Sequence, residues 1–376
     1  MLKLIRSIAL LCALALFAAA CGGGEDEVAD DVSSAEEVEQ TSTTTTAAPE
    51  TTTTEATTTE ATTTTTEAPS GPAFPLSGVV IPDDATSDHP AVVVKISNND
   101  TTARAALLGL NEADVVFEER IEQQATRFAA VFHSSLPTEV GSVRSARTSD
   151  IDIIANLNRP VFAFSGANDG VNAQVRQAEN EGLLVRASNE LADPQFRRIS
   201  EFRAPNNLVV DTVGLLDKAT DSDAPTPIFD FSDNVVELGT ASPGARVEAR
   251  SEAIFVWSET AGGYLRFENG QQLVGRNGAP LVSQNVVVMT TTYVSSQIDA
   301  QSRDAITVGS NPVTIYANGS RVEGTWTREF TRDGYTFETP DGQTIGLTPG
   351  QTWVSLAPAG TSGELGQLGA TALLNR

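Results

Sequence analysis

The pattern of apolar and polar positions divides the chain beyond residue 90 into two regions with different periodicities. Between residues 91 and 220, apolar runs of strand length alternate with runs in which apolar residues recur at helical spacing. Strands are expected at 91–96, 114–118, 127–133, 160–165 and 207–210, and helices at 149–157, 170–181 and 212–220. Because this alternation is typical of α/β layers, we predict an α/β N-terminal domain.

From residue 246 the pattern changes to short β runs that are separated by turn residues. Strands are expected at 253–257, 264–268, 285–290, 313–316, 336–338 and 351–356. The pairs Asn269-Gly270, Asn318-Gly319 and Asp341-Gly342 favour hairpins, because these residue types tolerate the positive φ of tight turns. The second region is therefore predicted to be a mostly antiparallel, β-rich C-terminal domain.

The composition of the remaining segments completes the predicted organisation. The parts are a lipoprotein signal peptide (1–21), a disordered acidic and Thr-rich tether (22–75), the α/β domain (76–225), a linker rich in Pro, Asp and Ser (226–245), the β-rich domain (246–360) and a flexible tail (361–376). About three hundred residues follow the tether, which is enough chain for two hydrophobic cores.

The first 21 residues have the parts of a bacterial lipoprotein leader in the required order. Lys3 and Arg6 give a positive start, and residues 8–17 form an apolar core too short to span a bilayer. Three alanines then precede Cys21, whose thiol would take the lipid. An ordinary secretory signal cut near Ala20 is the alternative. The leader predicts an extracytoplasmic protein that is anchored to the cell membrane through lipid on Cys21.

The tether accounts for much of the unusual charge of this chain. The formal net charge is −25, and the segment 22–75 contributes about half of it because it contains acids and no Lys or Arg. Its Thr/Glu/Ala/Pro repeat has too little apolar surface to offset the entropy of folding. The threonines could carry O-linked sugars, or the segment could be a plain spacer. Nucleic acid is not expected as a partner, because phosphate binding requires a basic surface.

Cysteine and histidine are too rare for several common kinds of site. Cys12 leaves with the leader, so the mature chain has no thiol pair for a disulfide or a Cys-based metal site. His89 and His133 are the only histidines, and neither a GxSxG nor an HExxH motif occurs. We therefore expect no Ser/His/Asp hydrolase, no metal site and no cofactor. An oxygen-ligand Ca²⁺ site among the loop acids is the alternative, although no segment matches an EF-hand loop.

The segment 141–149 is the best candidate for ligand binding. It follows a predicted strand, leads into a predicted helix and contains Arg144, Ser145 and Arg147. Free backbone amides at a helix start, together with two arginines and hydroxyls, would bind an anion. In the alternative interpretation, Ser149 caps the helix and the arginines pair with nearby acids.

A second candidate site contains Glu118, Glu119 and Arg127. Successive residues of a strand face opposite sides, so only one of the two glutamates can share a pocket with a given neighbour. Glu118 could act as a general acid or base on a glycan, as could Asp114, or it could hold Arg127 or Arg144 in a buried ion pair. The ion pair is the preferred interpretation, with Arg127 and Glu118 supporting the proposed anion site.

Several of these segments resemble one known family. The stretch 109–118 (GLNEADVVFE) is similar to the GLxxADIVYE motif of the YerB-like bacterial lipoproteins, a domain of unknown function (family 3048). The likeness continues at 126–128 (TRF), 143–147 (VRSAR), 324–326 (GTW) and 349–354 (PGQTWV), in the same order along the chain. The resemblance implies an α/β N-terminal domain, a β-rich C-terminal domain and an extracytoplasmic lipoprotein. It implies no catalytic residues.

This chain departs from the family pattern at two places. Ser142 stands where the family usually has Pro, and 164–167 (FSGA) stands where a His-Ala-Gly-Gly type of turn is common. The second difference removes a histidine, which weakens any mechanism that would depend on one.

These observations predict a membrane-anchored binding or scaffold protein of the cell envelope. Arg144, Arg147 and Ser145 would hold an anionic cell-wall ligand, and an envelope protein is the other expected kind of partner. The alternative is a cell-wall glycan or peptide hydrolase with Glu118 or Asp114 as acid/base, which requires two carboxylates in an open cleft. In a third reading, the β-rich half docks a partner protein through an exposed apolar patch.

Overall fold

The computed structural model describes residues 71–299 and 301–376, which belong to one compact unit spanning Thr66–Arg376. The predicted leader, the lipidation residue Cys21 and residues 22–70 of the predicted tether lie outside the described residues. In the described part of the chain, no helix is long and apolar enough to cross a bilayer.

The first half of the described chain alternates strands with helices, as the sequence pattern predicts. Its strands are β1 (Val92–Ser97), β2 (Val115–Arg120), β3 (Thr126–Phe132), β4 (Val140–Gly141), β5 (Val161–Phe164), β6 (Val185–Ser188), β7 (Phe196–Arg198) and β8 (Leu208–Val210). Its α-helices are α1 (Thr101–Ala105), α2 (Ser149–Ile154), α3 (Asp169–Asn180) and α4 (Thr212–Leu215). Short 3₁₀ turns occupy Leu110–Glu112, Glu122–Gln124, Asn189–Leu191 and Leu216–Lys218.

The second half is rich in strands. They are β9 (Thr240–Ala241), β10 (Gly244–Val247), β11 (Ala253–Ser258), β12 (Gly263–Glu268), β13 (Gln271–Gln272), β14 (Val282–Ser283), β15 (Asn285–Thr290), β16 (Thr292–Ser295), β17 (Arg303–Ile306), β18 (Gly309–Ala317), β19 (Ser320–Arg328), β20 (Thr336–Glu338), β21 (Thr352–Ala357) and β22 (Ser362–Glu364), with helices α5 (Val235–Leu238) and α6 (Gln367–Leu374). Asn269-Gly270 and Asn318-Gly319 form the turns of two hairpins, and all four residues have positive φ. The predicted fold class is confirmed.

One large sheet runs through both halves of the chain. Its strand order is β20-β19-β18-β15-β21-β2-β3-β1-β5-β6, and β9 pairs with β19. Strand β21, from near the C-terminus, lies between β2 and β15 and is parallel to both, so that Trp353 is level with Val116 on one side and Val286 on the other. The α/β and β-rich regions therefore share a continuous sheet across the predicted domain boundary.

Residue alternation along the strands gives the large sheet two buried faces. On the first face, Phe117 of β2, Val131 of β3 and Phe162 of β5 belong to one core. Ile153 of α2 and Val175 of α3 are part of the same core. Burying each of these side chains contributes about 1.5–3 kcal/mol, so this face fixes the helices over the sheet.

The opposite face packs against a second sheet, which has the order β13-β12-β11-β10-β22 with β14 beside β12. Phe255 and Tyr264 of that sheet share a core with Val116, Phe128 and Trp353 of the large sheet. The Trp353 ring lies 5.0 Å from the Phe128 ring and 5.7 Å from the Phe255 ring, centroid to centroid, both edge to face. The two sheets are thus held together by an aromatic layer.

The structure differs from the predicted linker and from the predicted flexible tail. Within 226–245, Ile228, Phe229 and Val235 are buried in the core of the first face. Within 361–376, β22 pairs with β10, and α6 buries Ala370 and Leu373 in a third small core. Apolar side chains inside these polar segments find burial only in partners that are distant in sequence, which local composition does not reveal.

Candidate functional site

A buried charged triad lies on the first face of the large sheet. It consists of Lys95 of β1, Glu119 of β2 and Asp150 of α2, all of them without solvent exposure. The Lys95 Nζ contacts the Glu119 Oε1 and lies 2.6 Å from the Asp150 Oδ1. Since removing a charge from water costs several kcal/mol, this network is stable only while its members stay paired.

The triad also fixes the start of α2. The second carboxylate oxygen of Asp150 accepts a hydrogen bond from the Arg147 backbone N–H at 2.7 Å. The Ser149 hydroxyl accepts from the Ala305 N–H at 2.9 Å, and no side chain caps the helix at Thr148. Ser149 is therefore not the helix cap considered from the sequence. The Asp150 carboxylate takes the Arg147 N–H just before α2, and the N–H groups of Asp150 and Ile151 donate to the carbonyls of Arg147 and Thr148, so these amides are not free to bind an anion.

Three arginines surround the triad and form what we call the arginine cluster: Arg127, Arg144 and Arg147. Arg147 is paired, since its Nε and Nη2 donate to the two oxygens of Glu122 at 2.7 and 2.8 Å. The Ser302 hydroxyl donates to the same carboxylate at 2.8 Å. Burial alone would raise the pKa of Glu122, but the hydrogen bonds from Arg147 and Ser302 outweigh it and lower that pKa to about 2. Arg147 is therefore paired with a carboxylate, which is the arrangement that the alternative interpretation of the sequence expected.

Arg127 and Arg144 are not paired in this way. Arg127 is 6% exposed, and its Nη1 donates to the Ser145 backbone oxygen at 2.9 Å. The Nε atoms of both arginines are buried and have no hydrogen-bond partner among the described residues. Burial, followed by repulsion from Arg147 and Arg144, lowers the pKa of Arg127 to about 10. Burial also lowers the pKa of Arg144, although the Asp100 carboxylate opposes this shift.

The backbone explains where these side chains lie. The Arg144 N–H donates to the Lys95 carbonyl at 2.8 Å, and the Arg144 carbonyl accepts from the Ser165 N–H at 2.9 Å. The segment therefore crosses the carboxyl ends of β1 and β5, which are parallel neighbours. Ligands of open α/β sheets bind at this edge. Arg144, Ser145, Arg147 and Arg127, which were predicted as ligand-binding residues, are brought together there.

Glu118 lies elsewhere, on the opposite face of the sheet. Its oxygens accept from the Arg266 Nη2 at 3.1 and 3.2 Å and from the Trp353 Nε1 at 3.0 Å. The same Arg266 nitrogen donates to Glu268 at 2.8 Å, and burial, opposed by Arg266, raises the pKa of Glu268 to about 7. The expected buried ion pair exists, but with Arg266 instead of Arg127 or Arg144. Glu118 cannot support the arginine cluster because strand alternation directs it to the other core.

Asp114 has a structural position. Its Oδ2 accepts from the backbone N–H groups of His133 and Ser134 at 2.7 and 2.9 Å, and it is almost completely buried. Neither Asp114 nor Glu118 faces an open cleft, so the geometry does not favour either as an acid/base catalyst.

The two histidines lie side by side, with the His89 and His133 rings 4.8 Å apart. No group of three His, Cys, Asp or Glu in the described part of the chain is arranged to hold a metal.

The sequence analysis named Glu119 beside Arg127 but did not identify Lys95 or Asp150 as members of the site. A local signal for Lys95 exists, since it interrupts the otherwise apolar strand VVVKIS. A lysine is almost never fully buried unless it is paired, so this position indicates an internal carboxylate partner. Which carboxylates it meets depends on the β1–β3–β2 order and on the packing of α2.

The fold and the cluster define a mixed α/β protein whose one large sheet joins an α/β half to a β-rich half. Comparisons with known proteins agree. The family described as "Protein of unknown function (DUF3048) N-terminal domain" matches residues 76–225, and the C-terminal domain of the same family matches residues 245–354. The chain belongs to this family, which confirms the resemblance found in its motifs.

Two similar proteins extend this result. The protein named "Putative lipoprotein YerB" from Bacillus subtilis (strain 168) is 25% identical over 300 residues, which cover 76% of this chain and 86% of that protein. The crystal structure of YerB protein from Bacillus subtilis superimposes with a TM-score of 0.66 at 22% identity and covers 78% of this chain and 99% of the YerB chain. This likeness shows a shared fold.

Proposed function

We propose that this chain is an extracytoplasmic protein, held on the cell membrane by lipid on Cys21, that binds an anionic ligand of the cell envelope through Arg127 and Arg144. The lipoprotein leader supports the anchoring, as does the name of the similar protein YerB. The arginine cluster supports the binding. The Ser145 carbonyl accepts a hydrogen bond from Arg127 and holds its guanidinium group in place.

The observation that carries the proposal is the contrast between Arg127 and the other deeply buried arginines, Arg266 and Arg328. Arg266 is paired with two carboxylates. Arg328 donates to the Asp333 carbonyl, the Thr307 hydroxyl and the Tyr335 hydroxyl at 3.1–3.2 Å. Among the described residues, Arg127 makes one hydrogen bond, to the Ser145 carbonyl, although an unpaired buried charge is costly. A bound carboxylate or phosphate would supply the missing acceptors for Arg127 and Arg144.

An anion screen tests the binding. The full chain, purified in detergent, is melted with sulfate, phosphate and citrate at constant ionic strength, beside the variants Arg144→Gln and Arg159→Gln. An anion present at a hundred times its Kd stabilises the protein by about 2.7 kcal/mol, which raises the Tm by a few degrees. We expect this increase in the wild type and in Arg159→Gln, and its loss in Arg144→Gln.

Arg159 is a matched control because it is also partly buried but precedes β5, at the opposite end of that strand from Ser165. Sulfate and phosphate also stabilise proteins nonspecifically, and that effect is the same in both variants. Binding through the arginine cluster is refuted when no anion stabilises the wild type or when Arg144→Gln responds equally.

The lipid anchor has a separate test. In Cys21→Ser the lipid attachment site is removed, so the variant is expected to move from the membrane fraction to the soluble extracytoplasmic fraction, because no other anchor is predicted. Fractionation followed by immunoblotting measures the change. A variant that stays with the membrane as completely as the wild type would contradict anchoring through Cys21.

A further inference from the structure

We propose that anion binding at Arg127 and Arg144 is coupled to the uptake of one proton by the buried carboxylate of Glu119. This inference rests on the proposed function and adds a regulation to it. In the coupled reaction, one anion binds the two guanidinium groups and one proton from solvent binds Glu119, and no other bond is made or broken. Acidic conditions would therefore tighten anion binding.

The charges of the triad do not balance. A single ammonium, that of Lys95, contacts two buried carboxylates, those of Glu119 and Asp150. With both carboxylates ionised, the triad carries one negative charge in excess. That charge lies in a low-dielectric interior, where it must be balanced by neighbouring cations.

The arginine cluster supplies the balancing charge. Glu119 of β2 is directly opposite Arg127 of β3 in the antiparallel register. The charged and titratable groups that act on Glu119 from the elements around it are Lys95 of β1, Arg127 of β3, Arg147 before α2, Asp150 of α2 and Tyr293 of β16. Two further charged groups act on Glu119 indirectly. Arg144, which faces Asp100, acts through Arg127, and Glu122, which pairs with Arg147, acts through Arg147. An anion bound to Arg127 and Arg144 cancels part of the positive field that stabilises the ionised glutamate.

Geometry also identifies which carboxylate takes the proton. Both oxygens of Asp150 accept hydrogen bonds, one from Lys95 and the other from the Arg147 backbone. Only one oxygen of Glu119 has a donor, and its buried Oε2 has no partner among the described residues. The neutral form of Glu119 therefore costs less than that of Asp150. Burial, partly opposed by Lys95, raises the pKa of Glu119 to about 7, so the proton is exchanged near neutral pH.

Calorimetric titration of the full chain with sulfate tests the coupling, because sulfate keeps a constant charge between pH 6 and pH 8. At constant ionic strength, we expect the Kd for sulfate to be roughly fivefold or more lower at pH 6 than at pH 8. Titrations at pH 7 in two buffers with different ionisation enthalpies count the protons directly. We expect a net uptake of up to one proton per sulfate.

Two variants test whether Glu119 is the group that takes up the proton. Glu119→Gln should bind sulfate with a Kd that no longer changes with pH and without proton uptake. Glu268→Gln is the matched control, since Glu268 also has a pKa raised to about 7 but lies with Arg266 on the opposite face. It should keep the pH dependence of the wild type. If Glu119→Gln does not fold, the proton count of the wild type still decides whether sulfate binding is coupled to proton uptake.

The outcomes separate the two proposals. Sulfate binding that requires Arg144 but takes up no proton overturns the coupling and leaves the proposed function standing. A pH dependence that persists in Glu119→Gln, or disappears in Glu268→Gln, overturns the role of Glu119. Absence of sulfate binding at every pH, or equal binding by Arg144→Gln, overturns the proposed function and the coupling together.

Discussion

Replacing Lys95 with methionine is expected to lower the free energy of unfolding by about 3–5 kcal/mol, since it leaves Glu119 and Asp150 buried without their shared cation. Methionine has a similar length, so little of the loss comes from a cavity. The loss should be greatest at pH 8, where Glu119 is ionised, and smaller at pH 5, where protonation removes one of the two negative charges. Urea denaturation at both pH values, followed by tryptophan fluorescence, measures it.

Lys218→Met is the control for this experiment. Lys218 pairs with one carboxylate, Asp193, at 2.7 Å, and its side chain is 34% exposed. Because the Lys218 side chain is partly exposed but that of Asp193 is only 2% exposed, water solvates part of the pair, and the expected loss is smaller, about 1–2 kcal/mol. Equal losses of free energy in the two lysine variants would contradict the special role of the Lys95 triad in stability.

Replacing Arg266 with methionine is expected to have a comparable effect on the opposite face, again about 3–5 kcal/mol. The guanidinium group lies between Glu118 and Glu268 and stacks 4.8 Å from the Phe255 ring and 5.3 Å from the Trp353 ring. The variant would leave both carboxylates buried without this cation and remove the stacking from the layer that joins the two sheets.

The pH dependence of the Arg266 variant has a defined sign. Folding raises the pKa of Glu268 from 4.5 to about 7. The stability that Glu268 contributes is therefore fully present below pH 4.5, and it is lost as the pH rises through 7. The loss of stability in Arg266→Met should therefore be larger at pH 8 than at pH 5. Thermal melts at both pH values measure it.

Arg246→Met serves as the control for Arg266→Met. Arg246 lies on the same sheet but is 46% exposed and pairs with Glu248 and Glu252 at the surface. Exposed pairs of this kind contribute about 0–1 kcal/mol, so the variant should melt close to the wild type. A drop in Tm as large as that of Arg266→Met would contradict the assignment of the effect to buried charge.

Much of the fold follows from local patterns in the sequence. Alternating and continuous apolar runs predicted most of the strands of the large sheet, and Asn-Gly pairs marked hairpins at 269–270 and 318–319. The position of β21 between β2 and β15 could not be predicted in this way. Its residue Thr352 is level with Val115, more than two hundred residues earlier, and nothing in either segment specifies the other.

The candidate site was predictable to the extent that its residues are adjacent in sequence. Arg144, Ser145 and Arg147 belong to one segment, and Arg127 was expected, together with Glu118, to support them. The partner of Glu118 was not predictable, since Arg266 lies 148 residues away on a different sheet. Strand alternation predicts that Glu118 and Glu119 face opposite cores. The order of the strands decides which of these two glutamates lies beside the arginines.

The most direct test of anion binding is to locate the anion. Selenate has the shape and charge of sulfate and scatters anomalously, so a crystal of the protein grown with selenate shows its position without ambiguity. We expect an anomalous peak within hydrogen-bonding distance of the guanidinium groups of both Arg127 and Arg144, at a selenate concentration that also raises the Tm in solution. A thermal shift with selenate bound only elsewhere, and no peak at these two arginines, would contradict the proposed site.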